Sequence, residues 1–178
     1  REGRAEALPF AGGEFDAVLC QYALMFFVDP PAALSEMHRV LADGGRAVLA
    51  VWQGLDAHPF YQLLDRAIER HLGTSGVRDI FAMGDRAALR DRVAKAGFRQ
   101  VEIEPFSLQA RFPDPDGFLA GEIDVDTAAI PAMQHLDAAA RASLTATIRS
   151  EMAEPLRSVT LGGHVQLPFH AYMVLARR

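Results

Sequence analysis

One cysteine, Cys20, is the only thiol in 178 residues. No disulfide within the chain can staple it, so stability has to come from packing, and a lone cysteine suits a reducing cytoplasm. No apolar run approaches the roughly 20 residues that a bilayer helix needs. The longest, from Ala17 to Val28, is interrupted by Gln21. Basic residues form no block: arginines stand singly among acids, the net charge is −5 and the pI is about 5.6. That balance argues against nonspecific binding to nucleic acid or to an anionic membrane. The six histidines (38, 58, 71, 135, 164 and 170) fall into no metal-ligand spacing, so no metal site is expected. G-x-G-x-x-G, a Walker lysine and a G-x-S-x-G elbow are all missing, which removes the sequence signatures of dinucleotide, nucleotide-phosphate and serine-hydrolase chemistry. Glu102 and Glu104 alternate along one strand and read as a solvated face rather than a catalytic pair.

What is present is apolar content of 50%, enough for a core. Phe15 to Cys20 reads as a short strand buried on both faces. Asp29-Pro30-Pro31 opens a helix: Asp29 can cap it and proline is tolerated in a first turn. Leu34, Met37, Val40 and Leu41 give that helix one apolar stripe. Asp43-Gly44-Gly45 is expected to end it, with glycine in a left-handed C-cap. Ala47 to Trp52 is a second apolar strand, so the unit is a parallel strand–helix–strand crossover. Further helices are expected over Phe60 to Leu72, with Leu63, Leu64, Ala67 and Ile68 inward, and over Arg86 to Ala96, capped by Asp85. Others should cover Pro113 to Leu119 and Asp137 to Met152. Phe98 to Phe112 reads as a long strand. Leu167 to Ala176 reads as the last one, with Leu167, Phe169, Ala171, Met173 and Leu175 on one face.

The ordered set Arg4-Ala5-Glu6-Ala7-Leu8-Pro9-Phe10, Phe15 to Cys20, Val40-Leu41-Ala42-Asp43-Gly44-Gly45 and Arg46 to Trp52 resembles the later part of the cofactor domain of class I methyltransferases that use S-adenosylmethionine. The subgroup it most resembles is the small-molecule type 11 group, which contains the ubiquinone and menaquinone C-methyltransferases. The resemblance implies a Rossmann-like α/β fold with a mostly parallel sheet that ends in an antiparallel strand. It also implies one partial domain over residues 1–178, with a helical cap over 113–163. The family's glycine-rich cofactor loop is expected ahead of Arg1.

The resemblance further implies that residues 4–6 form the adenine loop. An acid normally leads that loop and accepts from the adenine amino group; Arg4 stands there instead and can only donate. Ala5 keeps its backbone amide, and Glu6 is a displaced acid. Gln21 and Tyr22 follow the first strand, at the carboxyl end of the sheet where α/β proteins bind ligands. They are the remaining cofactor candidates, and Met25 and Trp52 are candidates for an acceptor pocket. Leu24, Met25, Phe26 and Phe27 read equally as core. No residue declares itself a catalytic base, although His164 and His170 stand near the last strand. Expected partners are the cofactor and a small-molecule acceptor, with no nucleic acid, no membrane, and a homodimer through the exposed sheet edge at Ala17–Cys20. The other reading is a non-catalytic, partner-binding module.

Overall fold

A computed structural model describes residues 1–128 and 130–178. The elements run β1 (Phe15–Gln21), α1 (Pro30–Val40), β2 (Leu41–Trp52), α2 (Pro59–Leu72), α3 (Arg86–Lys95), β3 (Arg99–Phe112) and α4 (Pro115–Ala128). They continue as α5 (Pro131–Gln134), α6 (Ala138–Glu151), α7 (Ala153–Ser158), β4 (Thr160–Leu161) and β5 (His164–Arg177). The sheet order is β1-β2-β5-β3, with β4 on β5. β1 and β2 run parallel, and β5 is antiparallel to β2. The chain is therefore a mixed α/β protein whose last strand returns antiparallel. It divides into two compact units: Arg1–Gly54 with Ile80–Ser107 and His170–Arg178, and Leu55–Asp79 with Leu108–Phe169.

In the first unit α1 forms where the capping residues put it. The Asp29 carboxylate accepts from the Ala32 amide at 2.9 Å, the prolines occupy the first turn, and Ala33, Leu34, Met37 and Val40 are buried. Asp85 caps α3 in the same way, through the Ala88 amide. α1 and α3 cover one face of the sheet, where Cys20, Leu49, Val51, Ile103 and Val174 join Leu34, Met37 and Val93 in one core.

Three expectations need correction here. First, α1 does not run to the glycines: Leu41 is already extended and begins β2. Asp43-Gly44-Gly45 is a bulge within β2. Phe15 pairs with Leu41 and Ala17 with Arg46, so Asp16 alone lies opposite residues 42 to 45. The left-handed backbone of Gly44 (φ 78°) serves that bulge rather than a helix cap. Second, β1 is buried on one face only. Leu19 is 76% exposed, because β1 ends the sheet and both helices pack on the opposite side. Third, β5 in this unit buries Val174 and Ala176 on the face opposite the expected one as well as Ala171 on it, while Met173 is 40% exposed. Pairing of Leu49 with Val174 and of Ala47 with Ala176 sets that alternation.

In the second unit α2 buries Leu64, Ala67 and Ile68 and ends at left-handed Gly73, whereas Leu63 is 42% exposed. Phe112, Phe118, Phe60, Tyr61 and Phe169 make successive ring contacts, the tightest being Phe112–Phe118 at 4.5 Å. The helix expected from Pro113 runs on to Ala128, and Asp137 caps α6 through the Ala140 amide. The short helices α5 and α7 have no counterpart in the expectations. No helix among the described residues is long and apolar enough to cross a membrane.

The bulge gives a test. A Cβ at Gly45 would lie 2.8 Å from the Ala42 carbonyl oxygen and 3.2 Å from that of Asp16, whereas one at Gly44 meets open space. Gly45→Ala is expected to destabilise by about 1–3 kcal/mol through backbone displacement. Gly44→Ala, penalised only by its positive φ, should cost about 1–2 kcal/mol. Urea melts of the two variants check the order.

Candidate functional site

The N-terminal loop is fastened to α1 by charge. Glu36 accepts from the Leu8 amide at 2.7 Å and pairs with Arg39 at 2.6 Å. Arg39 donates to the carbonyls of Phe10 and Leu8 at 2.9 and 3.1 Å. Arg39 draws the Glu36 carboxyl below its usual range. Neither residue stands out in the sequence, where an acid and a base three apart on an exposed helix face are ordinary. Two residues before Leu8, Glu6 accepts from the amides of Val28 and Asp29 at 3.0 and 3.3 Å and from the Arg4 side chain at 3.4 Å. A hydrogen bond from its own amide, together with those from Asp29, Arg4 and Val28, outweighs partial burial and holds its carboxyl low. Glu6 thus ties residues 4–6 to the start of α1. The Arg4 side chain is 68% exposed, and Ala5 packs on the core.

At the carboxyl end of β1, Gln21 is exposed and Tyr22 adopts a left-handed backbone, φ 50°. The Tyr22 amide still donates to the Ala50 carbonyl at 2.9 Å, which extends the ladder by one bond. Its ring stacks on Trp52 with centroids 3.9 Å apart and planes 15° apart. A positive φ on a bulky residue costs on the order of 1 kcal/mol or more and persists where the surroundings over-determine it. Here the ladder bond and the stack do so. Burial raises the Tyr22 phenol, keeping it neutral. Met25 lies in the turn Leu24–Phe26, partly buried against the core. The Cys20 thiol is raised by burial, which makes it a poor nucleophile.

β5 meets the end of β2 here. Trp52 pairs with Ala171, the Gln53 amide donates to the His170 carbonyl at 3.0 Å, and the Gln53 side chain donates to the Ala171 carbonyl at 3.0 Å. His170 Nδ1 lies 2.7 Å from Ser107 Oγ. His164 instead closes on the Gly162 carbonyl at 2.9 Å, within the β4–β5 turn of the second unit. Of the residues singled out in the sequence, the fold thus joins Tyr22 to Trp52, and Arg4 to Glu6 with the loop after β1. Gln53 and Ser107 carried no sequence signal. Two surface grooves measure about 690 Å³ beside Asp124, Arg141 and Arg149, and about 410 Å³ beside Ser35, Asp91 and Lys95. Neither includes Tyr22 or Trp52.

Residues 1–49 match a family described as a methyltransferase domain. The demethylmenaquinone methyltransferase of Mycolicibacterium paratuberculosis is 37% identical over 112 residues, covering 56% of this chain and 49% of that protein. The uncharacterised YafE of Escherichia coli K12 is 36% identical over 85 residues, covering 48% and 40%. A Bacillus halodurans crystal structure, provisionally assigned as a methyltransferase, has a TM-score of 0.56 at 20% identity and covers 98% of this chain and 75% of its own. The similarity in sequence to methyltransferase domains is thus carried by residues 1–49, and the likeness to the Bacillus halodurans structure is one of fold. The chain spans about half the length of the curated relatives it matches. Within the methyltransferase match lie Arg4 to Glu6, β1, Gln21, Tyr22 and Met25; Trp52 lies just past it.

The Glu6 tether depends on pH with a defined sign. A carboxyl held low stabilises above its ordinary value and loses that contribution as pH falls through its folded value. The Val28 and Asp29 amides should therefore lose exchange protection as pH drops below about 4.5, and Glu6→Ala should remove it at pH 7. Residue-resolved hydrogen exchange checks both.

Proposed function

We propose that these residues form part of an S-adenosylmethionine-dependent enzyme that transfers a methyl group to a small-molecule acceptor in the cytoplasm. In this reading they work with a glycine-rich cofactor loop outside this sequence. The carrying observation is the strained Tyr22 stacked on Trp52 at the carboxyl ends of the parallel pair β1–β2. Ligands of open α/β sheets bind at such ends.

The donor set fits the cofactor in part. Aromatic faces at Tyr22 and Trp52 attract a cation such as a sulfonium, and Gln21 offers both a donor and an acceptor for a polar tail. The adenine-acid position does not fit, because Arg4 accepts nothing and the Glu6 carboxylate already holds the Val28 and Asp29 amides. When bound, the cofactor supplies an electrophilic methyl on a positively charged sulfur. The chain's own residues then have to align donor and acceptor and exclude water. Trp52 and Met25 would border the acceptor, with His170 as the histidine that β5 brings beside the end of β2. The helical segment 113–163 would act as a mobile cap that selects the acceptor, opening faster than β2 in hydrogen exchange.

A second reading, a non-catalytic partner-binding module, draws on Arg4 and on the position of the two grooves. Calorimetry separates the two. The chain alone is expected to bind S-adenosylmethionine more weakly than a Kd of about 1 μM. The same chain extended by its upstream coding sequence should bind it, and Arg4→Asp in that longer form should tighten binding by about 1.5–3 kcal/mol. Failure of the longer form to bind would favour the module. The open edge of β1 with exposed Leu19 further supports self-association. Sedimentation at several concentrations should show dimers or larger species, and a concentration-independent monomer would rule this out.

A further inference from the structure

Buried carboxylates gather in the second unit with little positive charge to match. Two pairs spaced i, i+4 face one another: Tyr61 and Asp65 on α2, and Glu122 and Asp126 on α4. Asp65, Asp126 and Tyr61 are only 3%, 4% and 7% exposed. The Tyr61 hydroxyl donates to Glu122, and Phe60 meets Phe118 at 5.7 Å alongside. Asp65 is well provided for: it accepts from Ser75 Oγ, from the Val77 amide and from Arg78 at 3.3 Å. Asp126 is not, since its Oδ2 is buried without a hydrogen-bond partner.

Among the described residues, nothing packed against α4 supplies a neutralising cation for that oxygen. Arg78 is shared between Asp65 and Glu69. On α6, Arg149 pairs with Asp116, and Arg141 donates to the Met133 carbonyl; both line the groove on the Asp124 side of α4. Glu151 of α6 is held by Arg70 and His71 of α2. α5 carries no ionisable group. The loop after α2 also presses on α4, because a side chain at Gly76 would come within 2.7 Å of the Asp126 carbonyl oxygen. The cheapest way to keep Asp126 buried beside Glu122 and Asp65 is to leave it protonated.

We infer that Asp126, kept protonated beside Glu122, is a latch that holds α4 docked on α2, and that losing its proton releases α4. The inference stands apart from the methyl-transfer reading. Burial first, then the charges of Glu122 and Asp65, push Asp126 from 3.8 up to about 8, and burial raises Glu122 as well. The folded chain thus keeps a proton that the unfolded chain releases. The latch's contribution is complete below about pH 4, declines as pH rises toward 8, and beyond that the folded form carries an extra buried charge.

Hydrogen exchange of the full chain at pH 6.5 and pH 9, corrected for intrinsic rates, tests this. If ionised Asp126 opens the latch, amides of residues 118–128 should open up to about thirtyfold more at the higher pH, while those of β2 do not change. Asp126→Asn should abolish the difference. The same ratio in wild type and Asp126→Asn, or a change shared equally by β2, overturns the latch. Should Asp126→Asn fail to fold, Glu122→Gln decides: removing its charge must move the opening midpoint to lower pH, and an unmoved midpoint overturns the proposal.

Discussion

The parallel pairing of Ala17–Gln21 with Arg46–Ala50 is the constraint on which the first unit depends. Parallel strands need a long crossover, and α1 provides it, which obliges the chain to bury one helix stripe against one sheet face. The same pairing brings both strands to their carboxyl ends at one level. Without that coincidence the Tyr22 amide would not reach the Ala50 carbonyl, and its ring would not lie on Trp52. The bulge at Gly44-Gly45 keeps the pairing in step by absorbing the extra residues of β2 opposite Asp16.

Local chemistry was legible in the sequence and long-range geometry much less so. Asp29, Asp85 and Asp137 announced three helix starts because a cap needs only a residue and the amides just after it. The strands β1 and β2 were readable as apolar runs bounded by glycine and proline. Which of their faces would be covered was not, because that depends on where the helices land: Leu19 reads as core and stands exposed. The face of β5 was read in part: Leu167 and Ala171 are buried, but burial of Val174 and Ala176 on the other face follows from the register against β2. At the site, strand ends located Tyr22 and Trp52. Their stacking, the left-handed backbone of Tyr22, and the anchoring roles of Glu36 and Arg39 all rest on contacts between residues far apart in sequence.

The two units treat acids in opposite ways. In the first, Glu6 and Glu36 lie near the surface, accept backbone amides and are held low, so they stitch a loop to a helix at little desolvation cost. In the second, Glu122 and Asp126 are withdrawn from water with few donors and are held high. Residue type alone would give both sets one function. Burial and donor supply make the first set fasteners and leave the second withdrawn from water with few partners.

The threading of the chain has a consequence during synthesis. The first unit is assembled from three separate stretches, and the inner neighbour of β2 is built from residues 170–178. The Arg178 amide donates to the Gly45 carbonyl, and its side chain reaches the Arg39 carbonyl. On the ribosome, β1, α1 and β2 emerge before residues 55–169 and cannot close their sheet until residues 170–178 have appeared. For the interval in which residues 55–169 are being made, one flank of β2 is an open template of backbone donors and acceptors. A nascent chain of this connectivity pairs β2 with β5 late and depends, in that window, on whatever shields β1 and β2 from other chains.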